Sequence, residues 1–405
     1  MDWILFFLAL FSGGFMAWGV GANDVANAMG TSVGSKVITI KQAIMIAAVF
    51  EGVGALFGSG VVTGTIRNDI LDTSYYMHNP LILAKGMIAA LLASGSWLLV
   101  ATHKGWPVST THSIIGAVVG FGLISQGVDS IQWDKLTYIA FSWAITPIIS
   151  AMAAWGIFKL VQRIVLMHLD PVGRAHKFLG IAVFLFIFFT LDHSTVLPIS
   201  RAYGSYLVGA FALAVSAIIY FLVAPPDMEV LSYREEYAKA ERMFGFLALG
   251  TACGMAYAHG SNDVANAIGP LASVIEILET GKIQIGASVP FWVWGFGATG
   301  VVTGLSVFGY KIIASVGTKI TTLSPSRSFS AQLATALVVL SASQLGLPVS
   351  TTHTLVGAVL GVGLARGLAA VNLSVVRDIF MSWAITVPVG VGFSMVYFTI
   401  LEVLV

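Results

Sequence analysis

The sequence predicts an all-α integral membrane protein of about twelve transmembrane helices, arranged as two inverted repeats with broken helices at the midplane. Three observations predict it. The composition is too apolar for a water-facing surface, apolar segments follow one another with short charged links between them, and four motifs recur in the same order about 240 residues further along.

Of 405 residues, 57% are hydrophobic and 10% charged, and the mean hydropathy is +0.90. A soluble domain carries about 25% charged residues. With 20 Lys+Arg against 19 Asp+Glu, the net charge is +1, so there is neither a basic stripe for nucleic acid nor an acidic tail. The partner this composition requires is the lipid bilayer. A single cysteine, Cys253, excludes an intrachain disulfide and any cysteine-built zinc or iron–sulfur centre. The first apolar stretch has only Asp2 before it, with no basic region and no small-residue cleavage pattern, and is expected to be a span rather than a cleaved signal.

A bilayer core of about 30 Å needs about 20 apolar residues per helical span. Reading for apolar runs bounded by charge, Pro or Gly clusters gives 3–21, 40–66, 80–102, 107–125, 134–160, 178–196, 203–224, 243–261, 284–310, 327–345, 348–365 and 378–403. Pro80, Pro107 and Pro348 open three of these, and Lys177, Arg242 and Arg377 immediately precede three others. If the spans alternate with the N-terminus outside, 15 of the Lys and Arg residues fall in inside links, and only Arg67, Lys85, Lys135, Arg201 and Lys282 fall outside. That asymmetry follows the positive-inside rule and places both termini outside a plasma membrane. The two most polar connections are 159–177 and 225–242.

The repeat is explicit. Gly21-Ala22-Asn23-Asp24-Val25-Ala26-Asn27-Ala28 returns as Gly260-Ser261-Asn262-Asp263-Val264-Ala265-Asn266-Ala267, at an offset of 239. Gly60–Gly64 returns at Gly300–Gly304, Pro107–His112 at Pro348–His353, and Ser142–Thr146 at Ser382–Thr386. The chain therefore divides into a first repeat (1–165, spans one to five), a connection of spans six and seven with a polar loop (166–242), and a second repeat (243–405, spans eight to twelve). Seven crossings separate equivalent spans, so the second copy is inverted. Secondary transporters are commonly built this way, each half supplying one side of a midplane site to which rocking gives alternating access.

The repeated blocks carry the chemistry. Asp24 and Asn27 share one helix face, beside glycines that favour a helix break. A carboxylate at membrane depth is costly unless it faces a polar cavity or a cation. One copy alone reads equally well as a helix cap; two inverted copies point to a site. The block Pro-Val-Ser-Thr-Thr-His opens an apolar helix in each half, where free backbone N–H groups, a positive dipole end and the hydroxyls of Ser109, Thr110, Thr111, Ser350, Thr351 and Thr352 suit an anion. Neither block contains Lys or Arg. With Asp24 and Asp263 ionised and a divalent oxyanion bound, the formal charge is −4, which a low-dielectric pocket does not tolerate. Cations must enter too. Carboxylate, amide and hydroxyl oxygens are hard ligands, suited to a small alkali or alkaline-earth ion, so coupling to Na⁺ or H⁺ follows from electrostatics.

These motifs resemble those of the inorganic phosphate transporter family, the Pit-type permeases and their sodium-coupled relatives, along the whole chain. The resemblance implies a symporter of inorganic phosphate with Na⁺ or H⁺, no cofactor, no enzymatic activity, and a homodimer. Carried over by position, it implies cation ligands at Asp24, Asp263, Asn23 and Asn262, and phosphate ligands at Asn27, Asn266 and the six hydroxyl residues. The chain resembles those members that lack a large soluble insert between the halves.

Weaker signals remain. Glu51 lies inside the second span, with Phe291 at its offset position, and reads either as an extra cation or proton site in one half or as a residue facing a neighbouring helix. His112 and His353 read as cap or packing residues, Trp143 and Trp383 as packing or interface anchors. The pairs Gly54/Gly58, Gly60/Gly64 and Gly300/Gly304 read as close helix approaches. An intramembrane hydrolase would need one nucleophile and one base, which duplicated, inverted sets contradict. A channel does not need two carboxylates in inverted copies. Among transporters the alternative cargo is sulfate or another tetrahedral oxyanion, and protonation discriminates: a carboxylate accepts a hydrogen bond from hydrogen phosphate and repels fully ionised sulfate.

Overall fold

The computed structural model describes residues 2–192, 201–223, 232–284, 286–319, 322–367 and 373–404. Among them the regular structure is helical, apart from one isolated bridge between Leu71 and Ile131. The helices are α1 (Trp3–Gly34), α2 (Ile40–Gly58), α3 (Gly60–Asn68), α4 (Pro80–Lys104), α5 (Thr110–Gln126), α6 (Trp133–Val161), α7 (Pro171–Asp192), α8 (Arg201–Leu222), α9 (Tyr233–Asp263), α10 (Ala265–Thr280), α11 (Phe291–Lys319), α12 (Pro325–Gln344), α13 (Thr351–Leu364) and α14 (Leu373–Leu404). Eight described helices are long and apolar enough to cross a membrane, and Phe7, Phe11, Phe141 and Met152, all more than 60% exposed, lie on faces that suit lipid.

The element boundaries correct the sequence reading in four places. The first span does not break at its signature: α1 continues through Gly21 and Gly30 to Gly34. The polar side chains there find partners on other helices, so the backbone ladder has no reason to open. The second copy does break, at Val264, and an unexpected helix follows, α10, whose Ala-Ile-Gly-Pro-Leu-Ala-Ser-Val-Ile run is buried. The second expected span divides at Ser59, whose Oγ donates back to the Ala55 carbonyl at 2.6 Å. Finally, α9 begins ten residues before its expected start, with a capping box of Ser232 and Glu235. Of the expected polar connection 225–242 only residues from 232 onward are described, and 193–196 of the sixth expected span lie outside the described residues.

The expected spans at 107–125 and 348–365 are helices of 17 and 14 residues, about 26 and 21 Å long, and each begins in the protein interior. Each pairs with the helix before it as a hairpin whose turn ends in buried residues, Val108–Ser109 and Val349–Ser350, and the two turns meet there: Thr111 Oγ1 donates to the Val349 carbonyl at 3.1 Å, and Thr352 Oγ1 to the Val108 carbonyl at 3.2 Å. The two sequence repeats interlock in space. In α5, Gly116 and Gly120 lie against the Val387 and Val391 carbonyls of α14; in α13, Gly357 and Gly361 lie against the Pro147 and Ala151 carbonyls of α6. A methyl group at any of these positions would meet backbone. The boundaries at 165 and 243 therefore divide the sequence without dividing the core.

The same matching of contacts corrects the register of one repeated block. Gly304 faces the Trp18 carbonyl on α1, and Gly54 faces the Tyr257 carbonyl on α9. Trp18 and Tyr257 are equivalent in the signature alignment, so α11 matches α2 at an offset of 250. Gly60 and Gly64 have open space where a Cβ would stand and make no close approach; Gly54 and Gly58 do. The structural counterpart of Glu51 is consequently Val301, since these two residues face Gly260 and Gly21. Phe291 is its counterpart in sequence only.

Candidate functional site

The signature helices α1 and α9 bring Asp24 and Asp263 to the level of the two hairpin turns, and both are buried. The capped starts of α5 and α13 point at them. Ser109 Oγ accepts the His112 N–H at 3.1 Å and Ser350 Oγ the His353 N–H at 3.2 Å, ordinary N-caps that leave the next two threonines of each turn facing inward. Thr110 Oγ1 donates to Asp24 Oδ2 at 2.7 Å, and Thr351 Oγ1 to Asp263 Oδ2 at 2.5 Å. The second threonines cross over: Thr352 Oγ1 lies 3.4 Å from Asp24 Oδ1, and Thr111 Oγ1 lies 3.4 Å from Asp263 Oδ1.

The signature asparagines divide into two jobs. Asn27 Nδ2 donates to Thr352 Oγ1 at 2.8 Å and Thr351 Oγ1 at 3.2 Å, and Asn266 Nδ2 to Thr111 Oγ1 at 3.2 Å and Thr110 Oγ1 at 3.3 Å. Each thus spans from one half to the hairpin of the other. Asn23 sits further out: its Nδ2 donates to Thr102 Oγ1 and the Trp106 carbonyl, both at 3.1 Å, and its Oδ1 accepts the Val108 N–H at 3.3 Å. Asn262 likewise hydrogen-bonds Ser343 Oγ at 2.9 Å. Their amides tie down the hairpin turns.

Sequence reasoning missed His259. It lies fully buried one turn before Asp263, with Nε2 2.9 Å from Asp263 Oδ2 and 3.9 Å from Asp24 Oδ2, and Nδ1 3.3 Å from Glu51 Oε1. Ligand atoms of Asp24, His259 and Asp263 lie within 4.8 Å of one another, close enough to share one cation. The signal was in the sequence, as a histidine four residues before an aspartate in a repeated block, but its counterpart in the first copy is Val20, so the search for repeated residues passed over it. Glu51, left between two roles, joins this group through His259.

The remaining sequence candidates lie just behind the cage. His112 and His353 meet with ring centroids 4.3 Å apart; His112 packs at a tilt on Trp143 at 3.8 Å, and His353 stacks on Trp383 at 3.5 Å. The four rings join the two hairpins across the repeat axis, as packing residues would. Arg67, near the end of α3, is ion-paired with Glu276 of α10 and donates to the Ala287 carbonyl at 2.9 Å, which ties the two halves together away from the site.

The arrangement is a closed cage of two carboxylates, four threonine hydroxyls and two carboxamides with two helix N-termini aimed into it. Its donors suit an oxyanion and its carboxylates suit cations. The model of the Phosphate transporter family matches residues 20–394. The chain is 41% identical to "Inorganic phosphate transporter 2-1, chloroplastic" of Arabidopsis thaliana, over 97% of this chain and 72% of the plant protein. Among solved structures, one described as "The sodium-dependent phosphate transporter" superposes with a TM-score of 0.93 at 36% identity, covering 99% of this chain and 100% of the other.

Proposed function

The chain belongs to the phosphate transporter family, and from that premise we propose that it takes up inorganic phosphate by symport with Na⁺, with alternating access around the cage at the two hairpin turns. As a multi-pass membrane protein of that family it is a transporter and not an enzyme. One observation carries the proposal. The starts of α5 and α13, each with two inward threonines, converge on Asp24 and Asp263 with no Lys or Arg among them.

Phosphate is assigned to Thr110, Thr111, Thr351, Thr352, Asn27 and Asn266, with the free N–H groups of both helix starts adding their positive dipole ends. Ser109 and Ser350 hold those starts in shape. The coupling ions are assigned to Asp24 and Asp263, because hard oxygen ligands and an uncompensated charge demand them, with His259 as a neighbour of both carboxylates. Asn23 and Asn262, which the family resemblance implies as cation ligands, act in this reading as positioning residues, because their amides bond the residues that frame the turns. With His259 protonated, its charge and that of Glu51 cancel, and the count of −4 for two aspartates and a divalent phosphate stands. Cations must therefore bind with the anion. A carboxylate also accepts the remaining proton of hydrogen phosphate, which sulfate lacks, and this favours phosphate over the alternative cargo.

For access to alternate, the two halves must exchange which side they seal, as inverted repeats do. The organisation proposed is a first repeat (1–165), a connection (166–242) and an inverted second repeat (243–405), in a plasma-membrane homodimer with both termini outside. The positive-inside asymmetry supports the orientation, and the family resemblance supports the dimer. The deciding experiment is uptake of labelled phosphate into proteoliposomes with Na⁺ and pH gradients imposed separately. An inward Na⁺ gradient should drive accumulation that excess sulfate does not suppress. Accumulation under a pH gradient alone would assign the coupling to H⁺, and suppression by sulfate equal to that by unlabelled phosphate would overturn the cargo.

A further inference from the structure

Helices α2, α7, α8 and α9 enclose a crevice of about 670 Å³ that the transport site does not use, within the range of about 300–1,000 Å³ typical of ligand sites. Its walls are apolar, with Val53, Val183, Phe186, Phe211, Leu247 and Cys253 among them. It exists because α8 packs on α7 and stands away from α9. Along α9 the lining runs from Phe246 to Tyr257, and along α7 from Leu179 to Ile187. At 1.5 Å per residue these are about 16 and 12 Å, the depth of one leaflet of a bilayer core about 30 Å thick.

One end of the crevice is basic. The starts of α7 and α9 and the link before α2 lie side by side there: Phe178 meets Phe244 with ring centroids 5.7 Å apart, and Val37 is the nearest side chain to Gly245. Lys41, Lys177 and Arg242 are exposed at this end and make no ion pair among the described residues. Two nearby acids are already engaged. Asp170 Oδ1 accepts the Gly173 N–H at 2.8 Å, and the buried Glu241 accepts from Ser324 and Ser326. Arg242 is one turn from Phe246 and shares its face of α9, so this cation stands just beyond the apolar lining; Lys177 stands at the same level on another face of α7. An apolar slot one leaflet deep under unpaired cations complements an amphiphile with an anionic head.

We propose that this crevice seats one acyl chain of an anionic phospholipid, with its headgroup held by Arg242 and attracted at a distance by the exposed Lys177 beside it. The chain would lie behind the stretch of α9 that leads to His259 and Asp263, in contact with Tyr257, whose carbonyl packs on Gly54. The occupant is a structural lipid that supports the α2–α9 crossing from the membrane side, distinct from the cargo.

The test uses the full-length protein in mild detergent with an equimolar mixture of phosphatidylglycerol and phosphatidylcholine, read by native mass spectrometry. One phosphatidylglycerol per chain should be retained, preferred over phosphatidylcholine about thirtyfold, the factor two cations at an anionic headgroup supply. The double substitution Lys177→Glu with Arg242→Glu should abolish the preference, and Cys253→Trp, which fills the slot, should abolish retention of either lipid. In the unsubstituted protein, whose only cysteine lines the crevice, phosphatidylglycerol vesicles should slow Cys253 alkylation by a lipid-soluble maleimide relative to phosphatidylcholine vesicles. Equal retention of the two lipids, equal alkylation rates, or wild-type retention by the Cys253→Trp protein would overturn the proposal.

Discussion

Thr352→Val separates a binding hydroxyl from a structural one. The Thr352 side chain is buried; its Oγ1 accepts from Asn27 Nδ2 at 2.8 Å and lies within donating reach of the Val108 carbonyl and Asp24. Valine keeps the branched shape, and Asn27 Nδ2 retains Thr351 Oγ1 at 3.2 Å and Asp24 Oδ1 at 3.3 Å, so the loss concentrates on one hydroxyl. Removing a partner from a buried polar group costs about 1–3 kcal/mol. If the group left unpaired is the bound phosphate, that cost appears in its dissociation constant, as a roughly five- to 150-fold weakening. If the hydroxyl only braces the hairpin, free and bound protein lose it equally, and only the melting temperature falls. Calorimetric titration of phosphate at fixed Na⁺ distinguishes the two. Thr354→Val is the control, because Thr354 Oγ1 donates along its own helix to the Ser350 carbonyl at 2.8 Å, outside the cage. A Thr352→Val protein that melts early yet binds phosphate as tightly as wild type would remove this hydroxyl from the binding site.

Four further outcomes are expected. Asp24→Asn and Asp263→Asn, which keep shape and delete charge, should each abolish Na⁺-driven uptake in proteoliposomes while leaving a folded protein; unchanged Na⁺ dependence in either would remove it from the cation site. Glu51→Gln deletes the carboxylate 3.3 Å from His259 Nδ1 and should raise the Na⁺ concentration needed for half-maximal uptake, whereas an unchanged value would return Glu51 to helix packing. Arg67→Ala leaves Glu276 inside without its partner, and because stranding one member of a buried pair costs about 3–5 kcal/mol, it should lower the melting temperature well below that of the Arg67→Ala, Glu276→Ala double variant; equal melting would mean the pair is unimportant. Gly54→Ala should disrupt the α2–α9 crossing, while Gly60→Ala should be silent, and the reverse pattern of folded yield would restore the register read from sequence.

Membrane class, the order of the apolar segments and the residues of the cage were legible in the sequence, because each left a one-dimensional mark: hydropathy, charge at the links, and motifs at constant offset. Asp24, Asn27, Thr110, Thr111 and their counterparts were found because they occur twice. The same method hid what occurs once. His259 and Glu51 have valines as their counterparts in the other half, at positions 20 and 301, and α10 has no separate counterpart because α1 runs on unbroken. Register was the second blind spot. Gly-Val-Val-Thr-Gly is a good sequence match at 60–64 and 300–304, yet the break at Ser59 and the extra helix α10 displace the packing surfaces by ten residues. Only the carbonyl facing each glycine reveals that. The Asn23 pair shows a third limit: spacing marks a residue as part of a site without saying whether its amide faces the ligand or the turn that frames it.

The asymmetry bears on mechanism. A cage with true two-fold chemistry would bind its cations equally from either half, and nothing in it would distinguish the two aspartates. His259 removes that degeneracy. Its Nε2 is 2.9 Å from Asp263 and 3.9 Å from Asp24, so an imidazolium would screen Asp263 more strongly, and Asp24 would keep the greater demand for an incoming cation. Glu51 allows such an imidazolium to be buried, since an unpaired charge at that depth would be costly. The helix break has the same polarity: α9 ends and α10 begins at Val264, directly after Asp263, while Asp24 lies within a continuous α1. Duplication thus accounts for the shared hydroxyl cage that suits an oxyanion, and the residues that depart from it set the two carboxylates of that cage apart.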